Sequence, residues 1–248
     1  MKNKRQILVR TLLSFFAFAI FIWGATYLWF RVKDAHTDQG IKGGLQIPLR
    51  EVLNKNGQVF SSTFSKNRLA KEFPKSEAAR IVRVNGNIGL RSSLDNGNWH
   101  LDVIRSAGDT LKLTLADIQK LPKTEVIFNF KCIEGWSQIS HWGGVKFSDF
   151  IKAYHLEKQA NENYIGLVTP DGEYYVGVDM ESAMQAQTLL CYEMNGAPLP
   201  LNQGYPLRLM IPVKYGIKSL KRIGELSFSN EPPPDYWFER GYDYYAGL

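Results

Sequence analysis

Cys132 sits in the run FNFKCIEGWSQISHWGG, where a β-branched and aromatic approach ends at a thiol. An acid, Glu134, and an aromatic, Trp136, follow within four residues. A thiolate at such a place can serve as a nucleophile, a redox group or a soft-metal ligand. A nucleophilic cysteine needs a histidine within hydrogen-bond reach. The four histidines are His36, His100, His141 and His155, and only His141, nine residues on, could fold back. Zinc needs three or four ligands, often in close Cys or His pairs. The only other cysteine, Cys191, lies 59 residues away in the apolar run TLLCYEM, where it reads as core. No Cys-x-x-Cys redox pair and no haem-attachment motif is present. Two readings of Cys132 remain, a buried core residue or the single protein ligand of a soft metal held mostly by an organic cofactor.

An anionic cofactor needs fixed cations and backbone N–H groups on glycine-permitted turns. The segment QGYPLRLMIPVKYGIKSLKRIGE supplies both. Arg208 follows a Gly204–Pro206 turn, and Lys214, Lys218 and Lys221 surround Tyr215-Gly216.

The elements that must position these groups follow from hydrophobic period. Trp99, Leu101 and Val103 alternate as a half-buried strand, and Leu111, Leu113 and Leu115 continue the rhythm. Thr114-x-x-Asp117 caps a short helix that Pro122 stops. Glu125 to Lys131 is a strand delivering Cys132 at its end. Gly143-Gly144 is expected to turn the chain, with Ser148 capping a helix through Phe147, Phe150, Ile151 and Tyr154. Strands are expected over Tyr164–Thr169 and Glu173–Val178 around the turn Pro170-Asp171-Gly172, then over Leu189–Met194, Leu207–Pro212 and the SLKRIGELSF run. Met180–Gln187 reads as a short helix, Ile47 to Arg83 as short helix and loop, and the Pro-rich tail as packing by its aromatics. The class is mixed α/β with many short strands.

The net charge of +6 is carried entirely by residues 1–33, which hold Lys2, Lys4, Arg5, Arg10, Arg31 and Lys33 and no acid. The rest is neutral, which argues against nucleic-acid binding. Thr11 to Phe30 is uncharged for twenty residues, enough to span a bilayer as a helix. The run is too long for a signal peptide, and its Ala17-Phe-Ala19 lies inside it. Basic residues ahead of the span place the N-terminus in the cytoplasm and the domain outside. The expected organisation is 1–33 basic end and transmembrane anchor, 34–48 tether, and 49–248 one domain.

Taken together, KCIEGWS…HWGGVKFSDFI, LLCYEMNGAPLP and GYPLRLMIPVKYGIKSLKRI resemble the sulfite oxidase-like molybdenum enzymes, and most of all the periplasmic methionine sulfoxide reductase catalytic subunits. The resemblance covers about residues 80–240. It implies a sulfite oxidase-like molybdopterin-binding fold and a molybdenum–molybdopterin cofactor with Cys132 as the protein ligand. By the same resemblance Arg208, Ser219, Leu220 and Lys221 bind the pterin phosphate region, with Thr169 and Gln203 at matching positions. RVNGNIGLRS stands where the reductases have an Asn-rich pterin loop, so that Asn85 and Asn87 match it, although its Tyr and acid are missing. Glu134 and Trp136 would flank the metal. The implied activity is reduction of a sulfoxide or similar small oxide by oxygen-atom transfer. A carboxylate near the metal disfavours the sulfite dianion. The alternatives are a sulfite-oxidising enzyme of the same fold, or a tethered binding domain without cofactor. Electrons would come from a membrane haem or quinone-linked partner, with the chain in a bacterial inner membrane and its catalytic domain in the periplasm.

Overall fold

The computed structural model describes residues 2–37, 44–63, 69–84, 86–91 and 98–248. It opens on a helix, α1 (Lys2–Lys33). At about 1.5 Å per residue its apolar stretch is long enough to cross a membrane, with mean hydropathy 2.0 and none of it buried. Residues 38–43 of the expected tether lie outside the described residues. The Ile47 amide donates to the His36 carbonyl (3.1 Å), which starts α2 (Ile47–Thr63) close to the end of α1. The expected short helix over the start of Ile47 to Arg83 is thus 17 residues long, and the described residues 69–83 are loop with one short helical turn, Lys75–Glu77. Arg50 of α2 is buried, donating to the Phe238 carbonyl (2.6 Å) and the Tyr242 carbonyl (3.2 Å), with its guanidinium 4.0 Å above the Phe238 ring. Tertiary contacts, which the local sequence does not display, hold this helix.

Two sheets form the domain. The first contains β1 (Leu101–Ser106), β2 (Asp109–Leu113), β5 (Tyr164–Val168), β6 (Tyr175–Asp179) and β10 (Glu225–Ser229), in the order β2-β1-β10-β5-β6. β1 and β10 pair in parallel, so most of the domain lies in the crossover between them. The second contains β3 (Lys123–Lys131), β4 (Ser137–Lys146), β7 (Leu189–Met194), β8 (Ala197–Pro198) and β9 (Arg208–Met210). Its order is β3-β4-β7, with β8 and β9 both pairing β7. Short helices α3 (Leu115–Gln119), α4 (Phe147–Ala153) and α5 (Met180–Ala183) join the strands.

The first sheet meets one face of the second across a core containing Leu101, Val103, Ile165, Leu167, Leu226, Val145, Leu190 and Leu209, closed by Phe147 and Phe150 of α4. The opposite face of the second sheet carries Val126, Phe128, Phe130, Trp142, Leu189 and Cys191. β7 is therefore apolar on both faces, Leu190 and Tyr192 toward one cluster and Leu189 and Cys191 toward the other. A strand buried on both sides reads as a continuous apolar run, as TLLCY does. Cys191 is a core residue with its thiol pushed up to about 12 by burial.

Thr114 and Asp117 form the expected capping box on α3. Three expectations fail. Gly143-Gly144 does not turn the chain; both lie inside β4, at a bulge against β7. A Cβ on Gly144 would strike the Leu190 carbonyl and come within 2.6 Å of the Cys191 Cα, so close approach of backbones demands glycine here. Nor does Ser148 cap α4, whose N-cap is Lys146 without a side-chain bond. Residues 219–224 of the expected last strand are irregular, and only Glu225–Ser229 pair. Gly144→Ala should cost about 3 kcal/mol through forced separation of β4 and β7. That corresponds to a melting midpoint about 10 °C lower. An unchanged midpoint by differential scanning calorimetry would show that the bulge tolerates a side chain.

Candidate active site

Cys132 stands at the tip of the β3–β4 hairpin. Its amide donates to the Trp136 carbonyl (2.9 Å), and its carbonyl accepts from the Gly135 amide (3.1 Å). Gly135 has φ +87°, the left-handed conformation that closes a tight hairpin turn. The thiol is buried, 2% exposed, and burial pushes its pKa up. The Glu134 amide opposes that shift and the Glu134 carboxylate adds to it.

The thiol lines a cavity of about 140 Å³ with Gly86, Ile133, Tyr174, Arg208, Ser219, Lys221, Trp237 and Tyr242 among its walls. Arg208 opens β9, held by the Gln203 carbonyl (2.9 Å), the Gln203 Oε1 (3.0 Å) and the Ser219 carbonyl (3.4 Å). Its guanidinium lies 4.7 Å above Trp142. Burial pushes it down to about 10, so it remains charged at neutral pH. Lys221 donates to the Gly86 and Asn202 carbonyls, each at 3.1 Å. Burial, and next the charge of Arg208, push Lys221 down to about 7. Arg208 Nε and Ser219 Oγ are buried with no hydrogen-bond partner among the described residues.

The buried Arg208 and half-buried Lys221 cations, an unpaired guanidinium N–H and an unpaired hydroxyl facing one cavity form a donor set for an anion. Among the described residues no cluster of three His, Cys, Asp or Glu could hold a metal. A metal here would take one protein ligand, Cys132, and the rest of its coordination from an organic group. The residues present fit a phosphate-bearing, metal-binding cofactor on both counts.

The geometry is that of a cofactor site, and the family of the chain agrees. The model of the oxidoreductase molybdopterin binding domain matches residues 88–237. The chain belongs to this family. It is 32% identical over 186 residues to a proposed protein-methionine-sulfoxide reductase subunit, YedZ1, of Azospira oryzae, covering 74% of this chain and 70% of the relative. It is 30% identical over 178 residues to the protein-methionine-sulfoxide reductase catalytic subunit MsrP of Campylobacter jejuni, covering 65% and 60%. With MsrP of Burkholderia mallei the identity is 35% over 157 residues, 56% of this chain and 46% of that one. The chain thus spans from about half to 70% of the length of these relatives. The sulfane dehydrogenase SoxCD of Paracoccus pantotrophus shares the fold, with TM-score 0.50, 17% identity and coverage of 57% of this chain and 40% of that one. The expected mixed α/β, sulfite oxidase-like molybdopterin-binding fold is the one observed.

Within this family member, Cys132, Arg208, Ser219 and Lys221 line one cavity. Gln203 does not line the cavity but bridges Arg208 to the 82–83 segment, donating to the Val82 (3.2 Å) and Arg83 (3.3 Å) carbonyls. Leu220 is a core residue, with its amide given to Lys218 and its carbonyl to the Leu209 amide. Thr169 is spent on the β5–β6 turn, donating to Asp171 (2.6 Å) and accepting from the Tyr174 amide (3.1 Å). Asn85 lies outside the described residues, and Asn87 is exposed, accepting from Arg91 (3.4 Å). Trp136 lines a small neighbouring recess beside Arg83 and Arg208, and its indole donates to the Glu134 carboxylate (2.9 Å). Lys214 and Lys218, expected among the cofactor cations, point away into ion pairs with Asp179 and Asp235, each at 2.6 Å. Tyr174, Trp237 and Tyr242 escaped sequence reasoning, because an aromatic in a loop or tail carries no periodic mark of the wall it joins.

His141 is not a partner of Cys132. It pairs with Ile127, five residues back along β3 or about 17 Å away, and its Nε2 lies 3.2 Å from Glu125. A larger recess of about 370 Å³, lined by Phe60, Phe73, Lys71, Lys131 and Tyr245, does not include the thiol.

The Lys221 ammonium is present below about pH 7 and lost above it in the cofactor-free protein. Sulfate, whose charge is constant over this range, should therefore bind cofactor-free protein about tenfold more weakly at pH 8.5 than at pH 6. Isothermal titration should find this slope removed in Lys221→Met. A slope that survives the substitution would assign it to another group.

Proposed function

We propose that this chain is a membrane-anchored molybdenum–molybdopterin oxidoreductase that reduces a sulfoxide or similar oxide. The observation that carries this reading is the single buried thiol sharing a cavity with Arg208, Lys221 and the unpaired Ser219 hydroxyl. Cys132 would ligate the metal, while Arg208, Ser219 and Lys221 would hold the phosphate-bearing side of the pterin. Gln203 would fix Arg208 from behind, with Thr169 and Leu220 bracing the flanking turn and loop. When bound, the molybdenum–dithiolene group supplies the two-electron oxygen-atom exchange.

The chain's own residues favour a neutral substrate. Ile133, Tyr174, Trp237 and Tyr242 line the cavity with apolar and aromatic surface suited to a thioether-like side chain. Glu134, exposed at the hairpin tip, sets a negative charge against a dianion such as sulfite. The relatives named as protein-methionine-sulfoxide reductases support the same direction. The sulfoxide oxygen would leave as water after two electrons and two protons arrive. A membrane haem or quinone-linked donor would supply the electrons. The apolar helix α1, as a single-pass anchor, would raise the donor's effective concentration and keep the domain on the periplasmic face.

Protein made in a host that synthesises the cofactor should carry about one molybdenum per chain, and anaerobic assay with a reduced dye should reduce methionine sulfoxide. Cys132→Ala should lower turnover at least ~10³-fold, the scale of losing an essential group, while circular dichroism stays unchanged. Robust sulfite oxidation would reverse the direction assigned here. Absence of molybdenum would leave a tethered binding domain.

A further inference from the structure

Asp235 and Lys218 are both buried, 2% and 1% exposed, and pair at 2.6 Å. Neither lines the Cys132 cavity, yet each precedes residues that do. Lys218 lies between Ile217 and Ser219 on the loop that forms one side, and Asp235 lies two residues before Trp237 on the tail that forms another. The carboxylate joins three segments. Its Oδ2 accepts from Lys218 Nζ and from the Gly177 amide (3.2 Å) in β6. Its Oδ1 accepts from the Trp237 (3.1 Å) and Phe238 (2.9 Å) amides, fixing the start of the short helical turn Phe238–Arg240. Lys218 Nζ also donates to the Gly177 carbonyl (2.8 Å) and lies 4.3 Å from the Tyr244 ring centroid. Trp237 then packs edge-on against Tyr242 at 5.1 Å, and the Tyr242 amide donates to the Trp237 carbonyl (3.0 Å).

A buried ion pair adds little net stability compared with an apolar pair of similar volume, but it demands one geometry. Here that geometry sets the register of two cavity walls that no strand ladder connects. We propose that Asp235, through Lys218, is a positioning residue that holds the Trp237–Tyr242 wall over the 216–219 loop and so sets how tightly substrate is held. The proposal deepens the catalytic reading above and rests on it for the identity of the substrate. The clamp acts before chemistry, in the shape of the site, so its loss weakens binding more than turnover.

The test uses the full, cofactor-loaded chain. Asp235→Asn keeps an acceptor for the two amides but strands the Lys218 charge. The double variant Lys218→Met with Asp235→Asn leaves no unpaired buried charge, so it guards against simple unfolding. The double variant should show a KM about tenfold higher with kcat within about threefold, and full molybdenum content. Hydrogen exchange should accelerate at the amides of residues 236–242 and 216–219 together. Unchanged exchange at both segments overturns the clamp, whichever substrate the wild-type chain turns over. Faster exchange with an unchanged KM also overturns it, since the pair would then only stabilise the tail. A wild-type chain inert toward sulfoxides but active on sulfite defeats the substrate assignment alone; KM is then read with sulfite.

Discussion

Arg208 carries its charge where little water reaches, at the start of a strand paired to β7, which is apolar on both faces. Much of the site is arranged around that fact. Gln203 offers it two oxygens, Ser219 a third, and Trp142 an aromatic face. None of these neutralises it. Lys221 faces the same cavity and is itself pushed down by burial and by Arg208. Placing two cations in one buried cavity is unfavourable for the chain alone. A bound anion would relieve it, so repulsion between the two cations would favour binding of a negatively charged group.

The thiol belongs to the same logic. Burial resists its ionisation, and the Glu134 amide is the opposing contribution from its own turn. A metal reverses that balance, because a coordinating thiol is deprotonated outright. The hairpin therefore presents a sulfur that burial holds toward the protonated form. The rigid β3–β4 ladder sets where it waits. Rigidity there and charge at Arg208 come from different parts of the second sheet, and the core on both faces of β7 locks the two together.

The remaining walls come from a segment without regular strands. Residues 232–248 pack through edge-on aromatic contacts of Trp237 with Tyr236 and Tyr242 and of Phe238 with Tyr244, with Arg50 of α2 against Phe238 and Lys218 against Tyr244. Such a tail has few ladder bonds to define its register. Two buried cations do that work, Arg50 bonded to the Phe238 and Tyr242 carbonyls and Lys218 to Asp235.

What was legible in the chain alone was what local pattern controls. Alternation marked β1, β-branched, aromatic and apolar runs with their turns marked β3, β5 and β7 within a few positions, Thr114 and Asp117 marked a cap, and the apolar N-terminal run marked a helix long enough for a bilayer. Residue types and order also singled out Cys132, Arg208 and Lys221, since a thiol at a strand end and a cationic, glycine-bearing segment are local features, whereas Ser219 came only from the family resemblance. Direction in space was not legible. Lys214, Lys218 and Lys221 look alike in sequence, yet only Lys221 faces the cavity, because Asp179 and Asp235 lie on the other side of the loop. Gly144 looks like a turn residue and is a strand residue, because the constraint on it is the backbone of β7. Thr169 and Gln203 were expected at the cofactor and brace its surroundings, and Trp237 and Tyr242 were expected only to pack and form a wall. Which way a side chain points depends on partners far away in sequence, and only the tertiary structure brings those partners into contact.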